Sequence, residues 1–145
     1  MDTMKFELTL SKKGIPCLWE SGGGMTNTGS SQIIADPNGA KKRAIYIKRS
    51  GSLACRQHAL VPVAKGDVVI KAYHHRGDFE IRVYRLDNIV DAEAEAVLEY
   101  EFSDGEWNKD IPESLKDAVR AAMKKATDYH CRTPYYVIEP ESSPV

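Results

Sequence analysis

The sequence has few cysteines and no long apolar run, and each shortage excludes a class of protein. The three cysteines, Cys17, Cys55 and Cys131, are an odd number for a disulfide framework, so we interpret them as thiols in a reducing compartment. No stretch approaches the roughly 20 apolar residues that a membrane span needs. Residues 1–14 also lack the apolar centre of a secretory signal. We therefore expect a cytoplasmic protein with no membrane association.

The chain also lacks the motifs of nucleotide-binding enzymes. Gly24 and Gly29 have the spacing of the two glycines in a Walker A loop, but no lysine follows the second glycine. The segment leads into a predicted strand, whereas a phosphate-binding loop opens the helix whose N–H groups it uses. No alternation of strands and helices indicates a parallel sheet. These absences argue against a nucleoside triphosphatase and against a doubly wound fold.

The composition is that of an ordinary globular domain. The chain has 145 residues, of which 42% are hydrophobic and 28% charged. At this size a chain buries enough surface on folding to be stable without disulfides. We predict one domain over residues 1–138 and a flexible tail over residues 139–145.

Apolar periodicity predicts many strands and one helix. Turn residues recur every eight to twelve positions, as in a sheet of short antiparallel strands. Residues 92–102 contain helix-forming Ala and Glu but alternate with period two, which favours a strand. Residues 112–129 carry an apolar stripe at helical spacing after Pro112. The predicted fold class is α+β, a mostly antiparallel meander, barrel or sandwich with one C-terminal amphipathic helix packed on the sheet.

Charge is distributed unevenly along the chain. Residues 1–65 contain ten basic and four acidic side chains, whereas residues 66–111 contain five basic and twelve acidic ones. This asymmetry indicates either an anion-binding face in the first half or attraction between the two halves in the fold.

The glycine-rich segment 21–31 is the first candidate site. Three consecutive glycines among Ser, Thr and Asn predict a loop, and successive N–H groups in such a loop can form a nest for an anion. A basic cluster follows after the next turn. The predicted ligand-binding residues are Gly22, Gly23, Gly24, Thr26, Asn27, Thr28, Lys41, Lys42 and Arg43.

Cysteine and histidine residues form the second candidate site. Zinc needs three or four convergent ligands, and the chain has one close Cys-x-x-His pair, formed by Cys55 and His58. Residues three apart on a strand point to opposite faces, so these two diverge unless a bulge intervenes. The metal-ligand hypothesis names Cys55, His58, His74 and His130, with zinc as a cofactor that we do not favour. The same residue types also suit a cysteine-based enzyme.

A basic and aromatic face is the third candidate. Lys42, Tyr46 and Lys48 share one face of a predicted strand, as in sheets that bind single-stranded RNA. A single tyrosine is not a stacking platform, and the net charge of −1 is not that of a nucleic-acid-binding domain. Nucleic acid is therefore a disfavoured partner.

These patterns together favour a non-catalytic binding or accessory domain. Its partner is expected to be a small anionic ligand or a protein, bound through residues 21–31 and nearby basic residues. The first alternative is a metal-dependent or cysteine-based enzyme. The second alternative is a structural subunit that assembles into a homo-oligomer.

Overall fold

The computed structural model describes residues 3–23, 28–36, 42–50 and 56–127, with only the backbone at residues 48–50 and 56–57. These residues form ten strands and one helix. Their bounds are β1 Thr3–Glu7, β2 Thr9–Leu10, β3 Pro16–Gly22, β4 Thr28–Ala35, β5 Tyr46–Ser50, β6 Arg56–Pro62, β7 Val68–His75, β8 Asp78–Val90, β9 Glu93–Ser103, β10 Glu106–Trp107 and α1 Glu113–Thr127.

The strands belong to one antiparallel sheet with the order β1-β9-β8-β7-β4-β3-β6-β5, to which β10 adds beside β9 and β2 beside β3. We call β1, β9, β8, β7 and β4 the main arm, and β3, β6 and β5 the small arm. The arms are joined at β3 and β4, which share one register pair, Ser21 with Gln32. The predicted antiparallel fold with a packed helix is confirmed, and because the sheet is not closed, a barrel is excluded.

One core lies on the inner face of the sheet, which we define as the face away from α1. It collects Val69 and Tyr84 from the main arm and Leu18 and Val61 from the small arm. The two arms therefore fold toward each other and bury apolar side chains between them. Burial of this kind is the main stabilising contribution in a domain of this size.

The second core lies on the outer face, between the main arm and α1. Ile33, Ile70 and Ile81 of the sheet pack there against a buried helical stripe. The stripe consists of Leu115, Ala118, Val119, Ala122 and Ala126. Its small alanines let the helix lie close to β4 and β7, which places β7 and β8 between two cores.

The helix predicted from Pro112 is confirmed over the described residues. The Pro112 carbonyl accepts a hydrogen bond from the Leu115 N–H at 3.0 Å, which starts the first turn. Glu113 in this turn and basic residues in the last turn complement the helix dipole.

The predicted strand at residues 92–102 is also confirmed, as β9. It pairs with β8 on one side and with β1 on the other. Ala94 and Ala96 are fully buried on its inner face. Pairing along both edges therefore overrides the helix propensity of Ala and Glu.

The predicted loop over residues 21–31 is wrong in extent. The strand β3 continues to Gly22, and β4 already begins at Thr28. A Cβ atom at Gly22 would lie 2.8 Å from the Cβ atom of Lys125, so this glycine permits a close approach of α1. The predicted tail over residues 139–145 lies outside the described residues, and the single-domain boundary stays a prediction.

Candidate functional site

Four polar side chains lie side by side across the inner face of the main arm. Gln32 of β4 pairs with Lys71 of β7, Lys71 pairs with Arg82 of β8, and Arg82 pairs with Glu101 of β9. Paired residues of neighbouring antiparallel strands project from the same face of a sheet. We call these four residues the polar row.

The polar row marks a change in the character of the inner face. On the same face, the next residues toward the inner core are Ile34 in β4, Val69 in β7 and Tyr84 in β8, and all three are buried. Two residues in the other direction lie Tyr73 and Glu80, which are exposed. Because side chains on one face recur every second residue, the inner face changes from core to surface at the polar row.

A cavity of about 410 Å³ opens at the polar row. Ser21 at the end of β3 and Ser30 in β4 line it, so both flanks of the glycine-rich segment reach it. We call this cavity the inner pocket. Its volume lies within the range of small-molecule sites, about 300–1,000 Å³.

Lys71 is the half-buried cation of the inner pocket. Its Nζ atom lies 5.9 Å from the centre of the Phe6 ring, so the ammonium group leans against the inner core. Within the described ranges, Lys71 forms no ion pair, in contrast to Arg82 and Arg85. A lysine commonly buries its methylene stem and keeps its ammonium group at the surface, so the Lys71 ammonium group is available to an anion from solution.

Arg82 is the second cation of the polar row, and it is held in place by Glu101. The Arg82 Nε atom donates a hydrogen bond to Glu101 Oε2 at 3.1 Å. This hydrogen bond raises the pKa of the Arg82 guanidinium above its usual value, because it favours the charged form. Gln32 is also oriented, because its Nε2 atom donates to the Trp19 carbonyl at 2.7 Å. The polar row is therefore ordered by contacts that do not involve Lys71.

The glycine-rich segment contributes its flanks to this region. Gly23 has a φ of 127°, a conformation that glycine adopts most readily. Thr28 Oγ1 lies 2.8 Å from His75 Nδ1, a hydrogen bond between the first residue of β4 and the last of β7. Gly24, Thr26 and Asn27 lie outside the described residues, so their predicted ligand contacts stay predictions.

The predicted basic cluster is not beside the glycine-rich segment. Lys42 Nζ lies 3.4 Å from Oδ1 of the buried Asp67. Asp67 precedes the first residue of β7, whereas Thr28 pairs with His75 at its last residue. The eight residues of β7 separate these two places by about 26 Å at roughly 3.3 Å per residue. Arg43 is exposed near Lys42, and Lys41 lies outside the described residues.

The described members of the metal-ligand hypothesis lie in different arms of the sheet. His58 belongs to β6 of the small arm, where its ring packs edge-on against Trp19 at 6.4 Å. His74 belongs to β7 of the main arm, and its Nε2 atom accepts a hydrogen bond from the Gly77 N–H at 2.9 Å. Cys55 and His130 lie outside the described residues. Over residues 3–23, 28–36, 42–50 and 56–127, no three potential ligands converge.

The basic and aromatic face has more aromatic residues than the sequence indicated. Trp19 of β3 packs edge-on against Tyr46 of β5, with ring centres 6.2 Å apart. Both rings are half-buried and flank Leu60, which is fully buried. These contacts explain the aromatic residues as cover for the small arm, and edge-on rings do not form a flat stacking surface.

Gln32, Lys71 and Arg82, which line the inner pocket, belong to no motif in the sequence. They lie on three strands, and only the register of those strands aligns them. One local signal was present: Val69, Lys71 and Tyr73 share a face, so a lysine follows a core residue on the same side of the strand.

Comparisons with known proteins do not identify this site. The chain matches no protein-family model, no curated protein and no solved structure. Within the described part of the chain, no helix is both long and apolar enough to cross a membrane.

Proposed function

We propose that this protein is a non-catalytic binding or accessory domain whose inner pocket takes a small anionic ligand. The observation that carries the proposal is Lys71, a half-buried cation that forms no ion pair with any described residue. The basic residues of this site are Lys71 and Arg82, in place of the sequence-predicted Lys42 and Arg43. The flanks of residues 21–31 form part of its rim.

The charges around the inner pocket favour a small anion over a polyanion. Arg82 shares its charge with Glu101, and Glu80 also lines the cavity. These carboxylates would repel an extended chain of phosphates. A single carboxylate or phosphate group can contact Lys71 and Arg82 together, and such charge-assisted hydrogen bonds are the strong ones. The geometry is therefore better suited to a small ligand than to nucleic acid.

The other sequence-based hypotheses stay predictions. They are a protein partner, a homo-oligomer, a metal-dependent or cysteine-based enzyme, and a cytoplasmic location. Among the described histidines, His58 lies in β6, whereas His74 and His75 lie in β7. In the described part of the chain, no three potential metal ligands converge.

The test is an NMR titration of the isotope-labelled protein with two probes, inorganic phosphate and acetate. We expect saturable shifts in the amides of Gln32, Lys71 and Arg82. The variant Lys71→Met keeps the apolar stem against Phe6 and removes the charge, so affinity should fall by about tenfold or more.

Two matched variants locate the effect. Lys42→Met removes a basic residue of the sequence-predicted site, and Lys65→Met removes an exposed lysine outside both sites. Both should bind phosphate as the unmodified protein does. Shifts confined to other regions, or an equal loss in Lys42→Met, would overturn the proposal.

A further inference from the structure

A second cavity, of about 640 Å³, lies on the opposite face of the sheet, between α1 and strands β8 to β10. We call it the outer groove. The outer groove is separate from the inner pocket, although consecutive residues of β8 line them. Ile81 lines the outer groove, and Arg82 lines the inner pocket.

The wall of the outer groove is apolar and incompletely covered. Phe102, Trp107, Ile111 and Met123 pack against the outer core but remain partly accessible. The rings of Phe102 and Trp107 lie 5.3 Å apart and form one side of the groove. These side chains give the groove an apolar wall against which the apolar body of a small ligand can pack.

Two cations border this apolar wall. Lys116 and Arg120 line the groove from α1, one helical turn apart on the same side. Their carboxylate partners, Glu113 and Asp117, have side chains that are 86% and 89% exposed. Ion pairs this exposed contribute little to stability, so each cation can exchange its partner for a ligand anion.

The size of the outer groove argues for a small molecule as its occupant. A stable protein partner covers about 20–30 residues on each side, far more than the residues that line this groove. Small-molecule sites have volumes of about 300–1,000 Å³, apolar walls and a few polar groups. Asp110 lies at the rim and disfavours a ligand with several negative charges.

We propose that the outer groove binds a small amphiphilic anion, with an aromatic or aliphatic body against Phe102 and Trp107. Its single carboxylate or sulfonate group contacts Lys116 and Arg120. This inference does not depend on the inner pocket, because no residue of the polar row takes part.

The test uses two fluorescent probes with the same aromatic skeleton, the anionic anilinonaphthalene sulfonate and the neutral phenylnaphthylamine. The intact protein should bind one sulfonate probe with saturation. In the double variant Lys116→Gln, Arg120→Gln, the affinity for the sulfonate should fall by about tenfold or more. Its affinity for the neutral probe should stay within about twofold, since the apolar wall is unchanged.

The control is the double variant Lys65→Gln, Lys124→Gln, which changes the net charge equally at two exposed positions outside the groove. It should bind both probes as the intact protein does, and so should Lys71→Met. Circular dichroism shows whether each variant remains folded. The proposal is overturned by non-saturating binding of the sulfonate, by an equal loss in the control, or by a loss caused by Lys71→Met.

Discussion

The two faces of β7 are covered to different extents, although they belong to the same eight residues. On the outer face, Val68, Ile70 and Ala72 are all buried. On the inner face, Val69 is buried, Lys71 is half-buried and Tyr73 is 44% exposed. On the outer face, burial under the helix extends from Val68 to Ala72, whereas on the inner face it ends at Val69. The outer face of β7 therefore belongs to a core, whereas the inner face borders the inner pocket where its burial ends.

The largest expected effect separates neighbouring residues on the two faces. Ile70→Ala should lower the free energy of unfolding by about 2–5 kcal/mol, because it opens a cavity under the helix. Lys71→Met should change it by less than about 1 kcal/mol, because the lost cation–π contact is offset by apolar burial. Urea unfolding of both variants measures the difference. Equal losses would show that the inner face is as closely packed as the outer one.

A smaller effect tests how tightly the helix approaches the sheet. Gly22→Ala places a Cβ atom 2.8 Å from Lys125 Cβ and 3.0 Å from Lys125 Cδ. We expect a loss of about 1–3 kcal/mol in the free energy of unfolding from this overpacking.

A double-mutant cycle with Lys125→Ala identifies the cause of that loss. This change removes the contacts with the Cγ and Cδ atoms of Lys125 but keeps the 2.8 Å contact with its Cβ atom. It should therefore recover only part of the stability lost in Gly22→Ala. Additive losses in the double variant would place the cause in the remaining contact with the Lys125 Cβ atom or in the backbone of β3, and not in the outer part of the lysine side chain.

The smallest expected effect again compares neighbours on opposite faces. The buried Ser31 hydroxyl donates a hydrogen bond to the Ala122 carbonyl at 2.6 Å, so Ser31→Ala should cost about 0.5–1.5 kcal/mol. The exposed Ser30 lines the inner pocket, and Ser30→Ala should change stability by less than about 0.5 kcal/mol. Thermal unfolding followed by circular dichroism measures both. A larger loss for Ser30→Ala would contradict the contrast between the faces.

The sequence predicted the fold wherever periodicity was strong. The alternation at residues 92–102 outweighed the helix propensity of Ala and Glu, because Ala94 and Ala96 are needed inside. The glycine-rich segment was harder to interpret. Consecutive glycines predict a loop, but Gly22 is the last residue of a strand. A glycine is needed there because the side chain of Lys125, which is distant in sequence, packs against this position.

The candidate site was predicted less well than the fold. An anion site near residues 21–31 was expected, but the basic residues assigned to it, Lys42 and Arg43, lie at the other end of β7. The cations that do line the inner pocket come from β7 and β8, and strand register is decided by packing of the whole sheet. The pattern within one strand does not by itself give that register, which also depends on the turns and on the partner strands.

The N-terminal segment has a consequence for the order of folding. Its first part, β1, pairs with β9, and its second part, β2, pairs with β3. Thr3 is synthesised long before its partner Val97, whereas β7, β8 and β9 are consecutive hairpin neighbours. Contacts between distant residues form slowly because a long loop must close first. We expect the β7–β9 meander to fold early and the N-terminal segment to dock late. Pairing of β1 with the main arm and of β2 with the small arm would then be a late step that links the two arms.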